Sequence, residues 1–361
     1  MGSMGTSADA DDVPARRGPA PYLPEPTGPY PAGIASLWLT DASRPDPWVS
    51  GATARELMVS LWYPAVSSDG RRARYMTPAE SEIQLTTRGI TGVAQDTLST
   101  VETNAVSDAR PAGRQHSLPL VLLSPGFTNS RSSLTALAEE LASHGYVVAG
   151  IDHTYESHAT AFPDGRVTTS LAREAPRRNR GVKVAAGRAA DVSFVINELT
   201  RSHPAWPGAG LIDPSRIGMA GHSAGGAAAI AAPIPDEGLA RPFLFLGKQS
   251  NYTPGLGGAA TTLRDLKLRG GVMTWERDWK LLTGWKRWLV AAGAVHASFT
   301  DLALLADQTG IDTGAALSGA RSLAITRAYV RAFFDQHLCG TPQALLDQPS
   351  PRYPEVMFCS P

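Results

Sequence analysis

The chain predicts an α/β fold with a mostly parallel, twisted sheet covered by helices on both faces and entered through an antiparallel N-terminal hairpin. Two observations predict it. From Leu118 onward, short apolar runs alternate with helical patterns, as parallel strands buried on both faces require. Upstream, Leu57 to Tyr63 has a β-rich composition closed by Pro64, and Ile34 to Thr40 is its partner across the Pro/Asp turn at 45–47.

The elements follow in order. Residues 1–30, rich in Pro, Gly and Asp, read as a disordered or draped arm, and residues 31–361 as one domain. Residues 77–116 are polar and weakly helical with Gly and Pro breaks, which suggests a lid-like surface excursion. Leu120 to Leu123 is a buried strand, and Ser132 to Ser143 a helix ended by Gly145. Tyr146 to Ile151 is the next strand, followed by a helix over Val184 to Thr200 and a strand over Arg216 to Gly221. Pro242 to Leu246 and Trp288 to Ala292 are two more strands. Ser322 to Leu338 carries an apolar stripe with Gly340 as its C-cap candidate. The apolar Ala344 to Leu346 and Tyr353 to Phe358 predict a tail that packs back on the domain.

Composition narrows the function. A chain of 361 residues with 43% hydrophobic and 18% charged residues can bury a large core. Lys plus Arg equals Asp plus Glu at 33 each, so no basic field attracts nucleic acid. No run reaches the roughly 18 to 20 apolar residues of a membrane span, and no integral membrane segment is expected. The N-terminus shows no apolar signal region, which favours a cytoplasmic location over export with a removed signal. Cys339 and Cys359 make no zinc site on their own and are either one late disulfide or two unrelated thiols. The tryptophans at 275, 279, 285 and 288 read as sheet packing rather than lipid anchors.

Gly221-His222-Ser223-Ala224-Gly225 matches Gly-x-Ser-x-Gly between a strand and an Ala-rich helix, the context in which the pentapeptide holds a nucleophilic serine on a strained turn. An ordinary Gly/Ser turn is the blander account of the five residues alone. A serine needs a base and its tetrahedral intermediate needs donors. His296, in the loop after the last long strand, is the candidate base among eight histidines. The backbone N–H groups of Ala224 and Phe127 are the candidate oxyanion donors, Phe127 lying in Ser124-Pro125-Gly126-Phe127 after an earlier strand.

These strings, with Leu141-Ala-Ser-His-Gly-Tyr-Val-Val-Ala-Gly-Ile-Asp-His153 and Val295-His-Ala-Ser-Phe299, resemble the plasma-type platelet-activating-factor acetylhydrolases and their actinobacterial esterase relatives over roughly residues 25–357. The resemblance implies an α/β-hydrolase fold, a serine esterase or lipase-like activity, no metal and no cofactor. It implies Ser223 as nucleophile, His296 as base, and Phe127 and Ala224 as oxyanion donors. Pro125 stands where relatives often have His.

The acid departs from that pattern. Residues 227–240 are too few for the rest of the elbow helix, a strand and its Asp. Asp236 is the expected acid, with Asp265 and Asp278 as alternatives, each more ordinarily a surface charge. The expected activity is hydrolysis of short-acyl or lipid-like esters through an acyl-enzyme, in a neutral pocket without an arginine clamp. A biosynthetic acyltransferase, thioesterase or cyclase on the same fold, and a ligand-binding pseudo-hydrolase lacking a working acid, are the alternatives. Oligomeric state is not readable.

Overall fold

In a computed structural model of the chain, residues 20–229, 238–251 and 275–359 are described. The hairpin forms as predicted: β1 (Ala32–Asp41) pairs antiparallel with β2 (Arg55–Pro64) along its whole length. A seven-stranded sheet runs in the order β3-β4-β1-β2-β6-β5-β9, with β3 (Arg72–Arg74), β4 (Glu102–Ser107), β5 (Leu118–Ser124), β6 (Val147–Asp152) and β9 (Ile212–Gly221). β6, β5 and β9 are mutually parallel, and β2 joins β6 antiparallel.

Alternation along the strands builds the two faces. Leu57, Val59 and Leu61 of β2, Leu120 and Leu122 of β5, and Val147, Ala149 and Ile151 of β6 fill one side. The helix α3 (Arg177–Thr200) closes that side with Val192, Val195 and Leu199. Trp62, Val121, Leu123 and Val148 point to the other, where α2 (Thr135–Ser143) and Phe334 of α7 (Gly319–His337) cover them. Strands buried on both faces account for their near-continuous apolar runs.

A second sheet holds β10 (Phe243–Lys248) parallel to β11 (Lys286–Ala291), with β12 (Val356–Phe358) antiparallel on β11. The C-terminal tail thus packs back on the domain, as its apolar residues predict, and its last stretch does so as a short strand. Ile325, Tyr329 and Ala332 of α7 pack on Leu289, Ala291 and Val356, so one helix serves both sheets. Residues 275–281 are helical (α5), and Trp275 and Trp279 surround Phe245 beside Trp288 in a buried aromatic group. α6 (Asp301–Thr309) follows the loop after β11.

Two stretches differ from the sequence reading. Within 77–116, Glu102–Ser107 forms β4 and joins the sheet by pairing parallel with β1, while α1 (Pro78–Thr87), a short turn and the connecting loops lie outside it. The hairpin of β7 (Ala159–Ala161) and β8 (Val167–Thr169) had no predicted counterpart, since three-residue strands carry too little periodicity to detect. Of the arm, residues 20–30 lie docked: Leu23 is buried, its N–H donates to the Glu102 carbonyl at 2.9 Å, and Arg327 of α7 donates to the Pro24 carbonyl at 3.0 Å. Cys339 and Cys359 are free thiols, which decides against the disulfide. Among the described residues no helix is long and apolar enough to cross a membrane.

Candidate active site

The chain passes from β5 to β6 on one side and then back across β5 to β9 on the other. Such a reversal opens a crevice at the carboxyl ends of the strands. There Ser124 and Gly221 are paired across β5 and β9, which brings together the loop after β5 and the Gly-x-Ser-x-Gly turn.

Ser223 sits in that turn with φ 55° and ψ −116°, immediately before α4 (Ala224–Ala228). A residue with a Cβ held at positive φ costs about 1–3 kcal/mol and persists only where its surroundings impose it. Here the surroundings are backbone. A Cβ on Gly225 would lie 1.9 Å from the Ser124 carbonyl oxygen, and one on Gly221 would lie 2.2 Å from the Gly225 carbonyl carbon. Both glycines are needed because strand, turn and helix touch through bare backbone. The His222 N–H donates to the Ser124 carbonyl at 3.0 Å and anchors the turn to β5.

His296 follows β11 in a single 3-10 turn over His296–Phe299. Its neighbour is the residue before the serine: His222 Nε2 donates to the His296 carbonyl at 2.8 Å, and the two imidazoles lie 4.6 Å apart between centroids. The motif's variable position therefore ties the elbow to the histidine loop. Sequence reasoning missed His222 because no spacing relates it to residue 296. Burial, and then the charge of Lys248, lower the His296 pKa. Burial, and then His296, push His222 down to about 4. Both rings are neutral near pH 7. Among the described residues no carboxylate pairs with the His296 ring. Asp236 and Asp265 lie outside the described residues, and Asp278 of α5 pairs with Arg277 at 2.7 Å.

The loop after β5 is held from beneath by α3. Arg188, fully buried, donates through Nη1 to the Pro125 carbonyl and through Nη2 to the Gly126 carbonyl at 3.5 Å, while its Nε donates to Glu156 at 2.7 Å. A trans peptide sets its C=O and N–H in opposite directions. With the Gly126 carbonyl turned to Arg188, the Phe127 N–H faces away from α3. The next residue, Thr128, has φ 70°.

Under the same loop, Ser124 Oγ, His153 Nε2, His153 Nδ1 and Asp191 Oδ2 are linked at 2.8 Å and 2.8 Å, in the order of a Ser–His–Asp relay. All three residues are fully enclosed. Burial, then the Arg188 charge, push His153 down to about 4. Its Nδ1–H therefore donates to Asp191 and its Nε2 accepts from Ser124. Burial opposes ionisation of Asp191, yet Arg55 at 2.8 Å and the His153 bond hold its carboxyl far below the usual range. No substrate carbonyl reaches this hydroxyl, so the relay is a strut between β5, β6 and α3.

A cavity of about 590 Å³ opens beside Phe127 and Thr128, and Arg88, Arg173, Arg177 and Arg180 line it. This arginine cluster beside the candidate oxyanion loop is not anticipated by the sequence, which suggests a neutral pocket without an arginine clamp. Arg88 comes from the end of α1 and the others from the entry to α3, so only the fold assembles them. Among the described residues no group of three or more His, Cys, Asp or Glu side chains is placed to hold a metal.

The model of the family described as platelet-activating factor acetylhydrolase, isoform II, matches residues 19–180. A protein of Arthroderma benhamiae described as "Probable 1-alkyl-2-acetylglycerophosphocholine esterase" is 28% identical over 93% of this chain and 93% of its own length. A platelet-activating factor acetylhydrolase of Cavia porcellus is 26% identical over 60% of this chain and 53% of its own. The solved ferulic acid esterase of Streptomyces cinnamoneus superposes with a TM-score of 0.79 at 39% identity, covering 94% of this chain and 100% of that one. A sheet reversal carrying a glycine-bounded serine elbow, in a chain with relatives of this kind, has one consistent classification: the chain is an esterase of the α/β-hydrolase type, related to the ferulic acid esterase and similar to the platelet-activating factor acetylhydrolases of isoform II.

Proposed function

We infer that the protein hydrolyses carboxylic esters through an acyl-enzyme on Ser223. The Ser223 hydroxyl attacks the ester carbonyl and forms the new C–O bond while neutral His296 takes its proton. The Ala224 and Phe127 N–H groups hold the developing oxyanion, and the imidazolium then gives its proton to the departing alkoxide. Water repeats the sequence on the acyl-enzyme, releasing the acid and the free serine. Asp236 is proposed as the group that orients His296. Small-molecule or lipid-like esters with short or aromatic acyl groups are the proposed substrates, the aromatic case by analogy with the ferulic acid esterase.

One observation carries the reading. Ser223 is held at positive φ where β9 meets α4, beside a loop whose Gly126 carbonyl is pulled to Arg188 and whose Phe127 N–H is left facing away from it. This supports a reading in which fixed donors lower the acyl-transfer barrier without reorganisation. A fluorophosphonate probe is expected to label the wild-type chain at Ser223 and to leave Ser223→Ala unlabelled. Turnover of a p-nitrophenyl ester chain-length series should vanish with the same substitution at unchanged circular dichroism. Labelling elsewhere, or near wild-type kcat in Ser223→Ala, removes the serine from the mechanism. A loss under about tenfold in Asp236→Asn removes that residue from its role.

A further inference from the structure

The cavity beside the oxyanion loop has an unbalanced charge. Arg88 donates to the Asn129 side-chain oxygen, and Arg180 donates to the Arg173 carbonyl at 2.9 Å while its guanidinium stands 5.4 Å from the Phe127 ring centroid. Among the described residues none of Arg88, Arg173, Arg177 and Arg180 pairs with a carboxylate. Four guanidiniums around one cavity repel each other, and an anion seated between them relieves that repulsion.

The backbone adds to the same field. α3 runs 24 residues, begins after Pro176 without any side-chain cap, and has no acidic residue in its first turn, which opens instead with Arg177 and Arg178. A helix N-terminus carries a partial positive charge and unpaired N–H groups, and ordinarily takes Asp, Glu, Ser or Thr there. Arginine at that end is unfavourable unless an anion sits on it.

A third observation is independent of charge. His158 is only 6% exposed, lines the cavity, and keeps its Nδ1 buried with no hydrogen-bond partner. A buried polar atom left unpaired costs about 1–3 kcal/mol, so its retention calls for a ligand that pairs it. Burial, then Arg88 and Arg173, push its pKa down to about 4, which keeps the ring neutral and able to donate from either nitrogen by choice of tautomer. The His158 backbone N–H donates to the Thr128 carbonyl at 2.8 Å, so this residue is fastened to the oxyanion loop itself.

We propose that this cavity is a subsite for an anionic group, a carboxylate or a phosphate, carried by the ester that Ser223 hydrolyses. Arg173, Arg177 and the first turn of α3 hold the anion's oxygens, and His158 donates to one of them. Phe127 separates the two tasks, with its N–H serving the oxyanion and its ring packed beneath Arg180 at the cavity. The turnover part of this proposal rests on the esterase reading; the binding part does not.

The test uses the full chain. Ser223→Ala is titrated calorimetrically at low ionic strength with inorganic phosphate and, separately, with succinate. Saturable binding of at least one is expected, with Kd raised tenfold or more by adding Arg173→Gln and Arg177→Gln together and recovered in part by Arg177→Lys. The stronger ligand identifies phosphate or carboxylate as the natural group. In the Ser223 enzyme, kcat/KM for mono-p-nitrophenyl succinate relative to p-nitrophenyl acetate is expected to fall tenfold or more with the same double substitution. Absence of saturable binding of either anion, binding indifferent to the arginine substitutions, or an unchanged ratio each overturns the subsite. Anion binding that responds to the arginines while neither ester is turned over overturns the esterase reading and leaves the subsite standing.

Discussion

His296 and Ser223 differ in what their surroundings do to them. Ser223 is strained by backbone contact, whereas His296 is tuned by burial and by Lys248, both of which disfavour the imidazolium. A general base works only when neutral, so with His296 in the proposed role activity is expected to fall as pH drops through its pKa. That pKa is lowered from its ordinary value of 6.5. The acid limb of kcat/KM is therefore expected below pH 6.5, and Lys248→Gln is expected to move it upward. A limb above pH 7 in the wild type, or no movement in the variant, would contradict the electrostatic account. The enclosed His153 shows the opposite use of a similar shift: held neutral, it transmits orientation from Asp191 to Ser124 and meets no solvent.

At the scale of elements, α3 is what gives the loop after β5 its direction. Arg188 spans the Pro125 and Gly126 carbonyls and Glu156 with one planar fork, a geometry that the single ammonium of lysine cannot reproduce. Arg188→Lys is expected to lower kcat by about 10- to 100-fold, the scale of a misplaced oxyanion donor, with a much smaller change in KM. Steady-state kinetics on p-nitrophenyl acetate check it. A change confined to KM, or none, would mean the loop holds its direction without the fork. Complete removal in Arg188→Met leaves Glu156 buried without its partner, and destabilisation of about 3–5 kcal/mol is expected by chemical denaturation.

For the whole molecule, α7 is the common support. It faces the main sheet through Phe334, the second sheet through Ile325 and Tyr329, and the docked arm through Arg327. The arm returns the contact with Leu23, 3% exposed among Tyr75, Leu98, Leu304 and Leu323. Leu23→Ala is expected to cost about 2–5 kcal/mol, because a buried leucine is replaced by a cavity between elements that cannot all move inward. A thermal scan would show this as a Tm lower by several degrees, and a Tm unchanged within about one degree would mean that the arm rests on the domain without supporting it.

What the sequence determined by itself is what depends on neighbours along the chain. Apolar alternation in β2, β5 and β6 announces strands buried on both faces, and the glycines at 221 and 225 announce the elbow, because both signals arise from local sterics and periodicity. The α/β-hydrolase assignment and the esterase activity follow from those runs and from the resemblance they carry. The tertiary structure decided which distant side chains meet. Arg188 beneath Gly126, His222 against His296, and Arg88 facing Arg173 and Arg177 are separated by tens of residues with no repeat between them. A net charge of zero over the whole chain also conceals a local cluster of four guanidiniums. Periodicity reports which face of an element is buried, whereas a charged side chain finds its partner through the crossing of β5, β9 and α3, and that crossing exists only after the sheet has closed.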